Sequence, residues 1–186
     1  MNNVVKYWDD NLVSTHIGTE LKWLYDYLDK INFESISFID IGGNVGKFYD
    51  EISKKYNIKK CVIVEPSKIL FEHLSEKYYN NSSVRLFDFA ISDETGYFDF
   101  TDSVEHAINY FRDNGTDKSI NLGLSKIKKS SGDTKCYSMD FFLNELNPIP
   151  PNEITFIKID TENMDLQIIK SMTNFIKKNK IQPFIL

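Results

Sequence analysis

Apolar residues along the chain follow two spacings, which predict short buried strands alternating with amphipathic helices. Helical spacing marks four helices, at about residues 19–31, 48–56, 70–78 and 168–176, and a shorter one at 140–146. Apolar runs that end at glycine, proline or acidic residues predict strands at 37–41, 61–64, 84–89, 97–100, 135–138, 154–159 and 182–186. Pro66 follows the second of these strands and suits the first turn of the next helix.

The alternation predicts an α/β fold, with a mostly parallel sheet covered by helices on both faces. We expect an N-terminal helical segment over residues 1–35 and one domain over residues 36–186. Residues 102–133 show weak periodicity and many Asn, Ser, Gly and Lys residues, which indicates a long insertion. Ligands of such sheets bind at the carboxyl ends of the strands, so we expect the functional site there.

Composition narrows the possible partners and the compartment. The 186 residues carry a net charge of −5 and no block of Lys or Arg, which disfavours a nucleic-acid partner. No apolar run approaches the roughly 18 residues of a membrane span. The two cysteines, Cys61 and Cys136, lie far apart outside any CxxC motif, so neither a zinc site nor a disulfide is expected. A reducing cytoplasm is the expected location.

The first strand ends in a glycine loop that is typical of nucleoside-binding sites. Gly42, Gly43 and Gly46 stand between this strand and a helix, where glycine permits a tight turn and a close ligand. Their spacing differs from GxGxxG. Asp40 would repel a diphosphate but attract the ammonium of a methionine moiety. The loop therefore favours S-adenosylmethionine over a dinucleotide, with a loop that binds no ligand as the alternative.

Acidic residues follow the next two strands. Glu65 ends the second strand, where a carboxylate can accept two hydrogen bonds from a ribose diol. Dehydrogenases and methyltransferases both use this device, and the alternative is a carboxylate that stabilises a helix N-terminus. Asp88 ends the third strand, where it can reach an adenine amino group or simply lie on the surface. Both acids are therefore candidates for nucleoside binding.

Five motifs in this order resemble the FkbM family of class I S-adenosylmethionine-dependent methyltransferases. They are Asp40-Ile-Gly-Gly-Asn-Val-Gly46, Val64-Glu-Pro66, Ala90-Ile-Ser-Asp-Glu-Thr-Gly96, Ser138-Met-Asp140 and Ile157-Lys-Ile-Asp-Thr-Glu162. The resemblance covers roughly residues 36–186 and implies a Rossmann-like fold and O-methylation of a sugar or another small hydroxylated acceptor. The family fold normally adds a C-terminal antiparallel hairpin, for which this sequence shows no segment. We therefore expect a shortened member or a fragment.

The resemblance also implies roles for particular residues. The cofactor site would comprise Asp40, Gly42, Gly43, Asn44, Gly46, Glu65, Pro66, Asp88 and Asp160. Asp160 and Glu162 match an acidic pair that faces the transferred methyl group and the acceptor. Where the family usually has glycine after the second acid, this chain has Asn163, which tolerates the same left-handed backbone conformation.

An alcohol acceptor needs a base that takes its proton during attack. We hypothesise that one of Asp160 and Glu162 is this base or binds the acceptor, while the other holds the methionine end of the cofactor. The alternative is that one of them caps the following helix, and Asp165 is expected to be a first-turn acid of that helix. His106, in the insertion, is an alternative base. A metal held by the acidic pair lacks a third ligand in the sequence, so no metal site is predicted.

Two other functions remain open from the residues alone. A nicotinamide-dependent oxidoreductase would need a different glycine spacing and a loop that accepts an anion. A catalytically inert cofactor-binding module would keep the loop and Glu65 without turnover. Tyr110 and Phe111 can stack on a sugar or pack within the insertion, and no pattern indicates the oligomeric state.

Overall fold

A computed structural model of the protein describes residues 5–6, 17–104, 126–128, 132–161, 164–179 and 184–185. Its central sheet has five strands in the order β3-β2-β1-β8-β9, and all four pairings between them are parallel. The strands are β1 (Ile36–Ile41), β2 (Ile58–Val64), β3 (Val84–Phe87), β8 (Phe156–Ile159) and β9 (Phe184–Ile185). The predicted parallel α/β fold is confirmed.

Six helices surround this sheet within the described residues. They are α1 (Ile17–Ile31), α2 (Lys47–Ser53), α3 (Lys68–Lys77), α4 (Met139–Phe141), α5 (Asp165–Ser171) and α6 (Thr173–Asn179). A π-helical turn, Phe142–Leu146, continues α4, and a 3₁₀ turn, Pro151–Glu153, precedes β8. No helix in the described part of the chain combines the length and apolarity that a membrane span requires.

Both faces of the central sheet are buried because successive strand residues contribute to opposite cores. Phe38 and Phe156 point into the core beneath α1, α2 and α3, where their rings stack with centroids 4.7 Å apart. Ile39 and Ile157 belong to the opposite core, which is covered by α4, its π-helical turn, α5 and α6. This explains why the strands are continuous apolar runs in the sequence.

A second sheet, with strand order β4-β7-β5-β6, was not predicted as a separate unit. Its strands are β4 (Ala90–Ser92), β5 (Gly96–Thr101), β6 (Lys126–Lys128) and β7 (Thr134–Ser138). The third strand ends at Phe87 rather than at Phe89, because the buried Phe89 turns into the core and begins the path to β4. Of the predicted insertion, residues 105–125 and 129–131 lie outside the described part of the chain.

Two helix predictions were wrong at their ends. The helix predicted at 48–56 ends at Ser53, because Tyr56 packs against Tyr25 of α1 and donates a hydrogen bond of 2.6 Å to Asp29. Pro66 lies before α3 rather than in its first turn. Ser67 is the N-cap, and its Oγ accepts a hydrogen bond from the Leu70 amide.

The helix predicted around 168–176 is two helices that meet at Met172. Hydroxyl groups on both sides of Met172 donate hydrogen bonds to backbone carbonyls of α5. Ser171 donates to Ile168 O and Thr173 donates to Lys170 O, each at 2.8 Å. Such local side-chain bonds compete with a continuous helix. The apolar spacing survives the break because Ile168, Met172 and Phe175 remain in one core.

Candidate functional site

Four neighbouring strands of the central sheet, β3, β2, β1 and β8, end in one row at their carboxyl ends. Register pairs Phe87 with Val64, Val64 with Ile41, and Ile41 with Ile159. The residues that directly follow these strand ends are, in spatial order, Asp88, Glu65, Gly42 and Asp160. Three of their amides continue the ladder at 3.0 Å, from Glu65 to Phe87 O, from Gly42 to Val64 O, and from Asp160 to Ile41 O. Adjacent strands lie about 4.8 Å apart, so the row spans about 14 Å.

The glycine loop leaves the centre of this row in a conformation that ordinary residues rarely adopt. Gly42, Asn44 and Gly46 have φ values of 81°, 49° and 79°. A Cβ on Gly42 would collide with the carbonyl oxygen of Asp160, and a Cβ on Gly46 would collide with the Tyr78 hydroxyl. Both glycines are therefore required by backbone angle and by close approach. Asn44, which lies between them, can also have a positive φ because asparagine tolerates the left-handed region.

Glu65 is buried beside the loop and joins it to α3. The residue is only 6% exposed. Oε2 accepts a hydrogen bond of 2.8 Å from the Asn44 amide, and Oε1 accepts one of 2.8 Å from the Ser67 amide. Burial raises the pKa of Glu65 to about 7, against the opposing effect of these two amides. The carboxyl therefore titrates close to neutral pH and still has free lone pairs for a ligand.

Ser67 extends this network to the start of the insertion, which the sequence did not reveal. Its hydroxyl donates a hydrogen bond of 2.7 Å to Asp102 Oδ2, while Asp102 Oδ1 accepts one of 2.9 Å from the Val104 amide. The negative charge of Asp102 adds to the raised pKa of Glu65. Asp102 thus anchors the chain beyond β5 next to the candidate ribose acid.

Asp40 lies beneath the loop and is fully buried. Its Oδ1 accepts a hydrogen bond of 2.9 Å from Lys158 Nζ, and the two residues are register partners on β1 and β8. Burial raises the pKa of Asp40, and the nearby ammonium opposes this shift. Among the described residues, Asp40 Oδ2 has no hydrogen-bond partner. Lys158 was not predicted as a site residue, although a lysine inside an apolar strand was a visible signal.

Asp160 stands at the end of β8 with its side chain 63% exposed. Its carboxylate does not cap the next helix, because the N-cap of α5 is Met164. Asp165 instead accepts hydrogen bonds of 2.7 Å from the amide and the hydroxyl of Thr161, which confirms it as a first-turn acid. The Asp160 side chain is therefore accessible to a ligand at the carboxyl ends of the strands.

The remaining predicted site residues divide into two groups. Asp88 directly follows β3 and is exposed, which leaves it accessible beside Glu65 in the row. Glu162 and His106 lie outside the described residues, as do Asn163, Tyr110 and Phe111. Within the part of the chain that the structure describes, no three His, Cys, Asp or Glu residues come together as a metal site would require.

Comparison with known proteins adds a family to this geometry. The family model for the methyltransferase FkbM domain matches residues 40–186, which includes the glycine loop, Glu65, Asp88 and Asp160. No curated protein matches the chain.

The chain is also similar to two solved structures. Methyltransferase FkbM from Methylobacillus flagellatus KT is 15% identical with a TM-score of 0.48, over 82% of this chain and 32% of that one. A candidate S-adenosyl-L-methionine-dependent methyltransferase from Methanococcus maripaludis is 9% identical with a TM-score of 0.44, over 92% of this chain and 57% of that one. This chain thus spans about a third and somewhat more than half of their lengths. The family match, which covers most of the chain, carries the assignment: the chain belongs to the FkbM methyltransferase family.

Proposed function

We propose that the protein is an S-adenosylmethionine-dependent methyltransferase that methylates a hydroxyl group of a sugar or another small hydroxylated acceptor. The observation that carries this proposal is the order of the row Asp88, Glu65, Gly42 and Asp160 along one sheet edge. Along this row Asp88 can accept a hydrogen bond from the adenine amino group, Glu65 can bind the ribose hydroxyls, and the glycine loop with Asp160 can hold the methionine moiety. Adenine, ribose and methionine follow one another in the same order in the cofactor. The row of about 14 Å suits an extended nucleoside with an amino-acid tail.

The residues present fit this cofactor. Glu65 offers lone pairs on both carboxylate oxygens to the ribose hydroxyls, and its two backbone bonds hold it in place. Asn44 Oδ1 is buried without a hydrogen-bond partner among the described residues, so a donor from a ligand would satisfy it. The missing Cβ at Gly42 lets the backbone of the loop lie directly against the Asp160 carbonyl, which brings the loop and the end of β8 together. Pro66 and Gly43 support the loop and the ribose acid from the neighbouring positions.

Asp40 fits a supporting role better than direct contact with the ammonium of the cofactor. The residue has no exposed surface, and Lys158 takes one of its carboxylate oxygens. In this proposal Asp40 supports the glycine loop from below, and one of Asp160 and Glu162 receives the positively charged end of the ligand.

The bound cofactor would supply an already activated methyl group, so the protein has to align the acceptor, exclude water and remove one proton. Asp160 is exposed at the sheet edge and can take the hydroxyl proton of an acceptor or hold the acceptor in place. Of the two roles, base or acceptor binding and binding of the methionine end, Glu162 is proposed for the one that Asp160 does not fill. His106 remains the alternative base. The base would take the hydroxyl proton as the acceptor oxygen bonds to the methyl carbon, and the bond from that carbon to sulfur would break to leave S-adenosylhomocysteine.

We further place the protein in the cytoplasm, because Cys61 and Cys136 are both buried free thiols, as a reducing compartment allows. Burial also raises the pKa of both thiols, which makes them poor nucleophiles.

Isothermal titration calorimetry with S-adenosylmethionine tests the proposal. We expect binding that Glu65→Ala abolishes, while Glu72→Ala, an exposed glutamate on α3, leaves it unchanged. Binding of NADH in place of S-adenosylmethionine would refute the methyltransferase site. Formation of S-adenosylhomocysteine with a panel of carbohydrates and small alcohols tests turnover. Cofactor binding without turnover on any member would instead support an inert binding module.

A further inference from the structure

The ammonium of Lys158 lies at the junction between the glycine loop and the acidic end of β8. Its Nζ donates hydrogen bonds of 2.9 Å to Asp40 Oδ1 and of 2.9 Å to the Gly42 carbonyl. A third oxygen, Oδ2 of the Asp160 carboxylate, lies 3.5 Å away from Nζ. The Lys158 side chain is only 12% exposed. The two hydrogen bonds use two of the three donors of the ammonium, and the ion pair with Asp160 lies on its remaining side.

Lys158 is therefore neither a base nor a ligand for the substrate. Burial alone would lower its pKa, but the carboxylates of Asp40 and Asp160 raise it above the usual value. The residue stays protonated at any working pH, so it cannot accept a proton. Two of its three donors bind Asp40 and the Gly42 carbonyl, and the third lies beside the Asp160 carboxylate.

The contact with Asp160 has a different character from the contact with Asp40. Asp40 is fully buried and needs a counter-charge for stability. Asp160 is mostly exposed and has no such need, and within the described residues Lys158 is the one cation recorded beside its carboxylate. Asp160 follows β8 two positions after Lys158, and the 3.5 Å between Nζ and Oδ2 shows that the two side chains meet on one side of the sheet. The ammonium also binds the Gly42 carbonyl of the glycine loop.

We propose that Lys158 is a positioning residue for methyl transfer, which holds the Asp160 carboxylate against the glycine loop, next to the site of the transferred methyl group. The proposal rests on the proposed function, since it assumes that the loop binds the methionine end of S-adenosylmethionine. The competing explanation is purely structural, namely that Lys158 only neutralises the buried Asp40.

The variants are chosen so that loss of folding does not obscure the result. Lys158→Met alone would leave the Asp40 charge buried without a partner, which is strongly destabilising. We therefore compare two backgrounds, the unmodified protein and the double variant Asp40→Asn/Lys158→Met, and add Asp160→Asn to each. Lys158 keeps Asp40 as its counter-charge in the first background, and the second background holds neither buried charge, so no variant leaves an unpaired charge in the core. Circular dichroism confirms folding of each variant.

The readout is the ratio of two dissociation constants measured by calorimetry, for S-adenosylhomocysteine and for S-adenosylmethionine. The two ligands differ by one methyl group and by the positive charge on sulfur, so the ratio reports a negative charge held near the sulfur. General loosening of the loop changes both constants together and cancels in the ratio.

With Lys158 present, we expect Asp160→Asn to reduce the preference for S-adenosylmethionine about tenfold. In the Asp40→Asn/Lys158→Met background, the same substitution should change the ratio less than about twofold, because the Asp160 carboxylate that Lys158 no longer holds does not lie by the sulfur. An equal effect of Asp160→Asn in both backgrounds, or no effect in either, overturns the positioning role. Failure of the unmodified protein to bind S-adenosylmethionine would instead overturn the proposed function.

Discussion

Lowering the pH from 8 to 6 should weaken the binding of S-adenosylmethionine because Glu65 gains a proton. The carboxyl is buried, and its pKa is raised to about 7. Ribose hydroxyls donate hydrogen bonds, so they need the ionised carboxylate as acceptor. The protonated form keeps a donor where the ligand also presents donors. Binding therefore favours the ionised form, and a ligand at Glu65 should release a proton.

The magnitude follows from the fraction of protein with an ionised Glu65. With a pKa of about 7, about nine tenths of the molecules are ionised at pH 8 and about one tenth at pH 6. If only the ionised form is competent, the apparent dissociation constant rises about tenfold between these pH values. At pH 7, binding should release about half a proton per protein molecule.

Calorimetry at pH 6, 7 and 8, in buffers of different ionisation enthalpy, measures both quantities. Glu65→Gln keeps the side-chain shape and removes the titrating group. We expect this variant to bind more weakly, and its dissociation constant should no longer show the part of the pH dependence that Glu65 causes. Titration of the amino group of the ligand appears equally in both proteins and cancels in the comparison. Glu72→Gln serves as a matched surface control. An affinity profile that is the same in Glu65→Gln and in the unmodified protein would refute the reasoning.

Three further predictions concern the framework of the site. Gly42→Ala should destabilise the fold by more than about 1 kcal/mol, measured by urea unfolding, because φ is 81° and the new Cβ would collide with the Asp160 carbonyl. Asp165→Ala should lower the free energy of unfolding by about 1–3 kcal/mol, because two Thr161 donors lose their acceptor, whereas Asp165→Asn should recover part of this loss. Phe156→Ala should cost about 3–5 kcal/mol in thermal or urea unfolding, because the ring is fully buried against Phe38; a loss below about 1 kcal/mol would contradict this packing.

The site edge was predictable because parallel strands bring their carboxyl ends together. Glu65, Asp88 and Asp160 were recognised as residues that follow apolar runs, and all three stand in one row with Gly42. Periodicity was sufficient here because both faces of each strand are buried, which makes the runs long and continuous.

The contacts that connect the site were not predictable in the same way. Ser67 and Asp102 are 35 positions apart, and their hydrogen bond depends on how β5 returns towards α3. The second sheet was missed as a unit because β4 and β6 have only three residues each, which is too short for a period of two to emerge. Such features follow from tertiary packing rather than from local pattern.

The pair formed by Asp40 and Lys158 links the fold to the site. Phe38-Ile-Asp-Ile41 and Phe156-Ile-Lys-Ile159 share one apolar frame and carry opposite charges at the same position. A slip of two residues between β1 and β8 would keep every apolar side chain on its proper face, so the hydrophobic pattern alone does not exclude it. The same slip would separate the two buried charges, which is strongly unfavourable.

The observed register pairs Asp40 with Lys158 and therefore also pairs Ile41 with Ile159. This alignment sets Gly42 directly beside the backbone of Asp160, at the point where the proposed methyl transfer takes place. The buried ion pair thus favours the register in which the glycine loop and the acidic strand end meet.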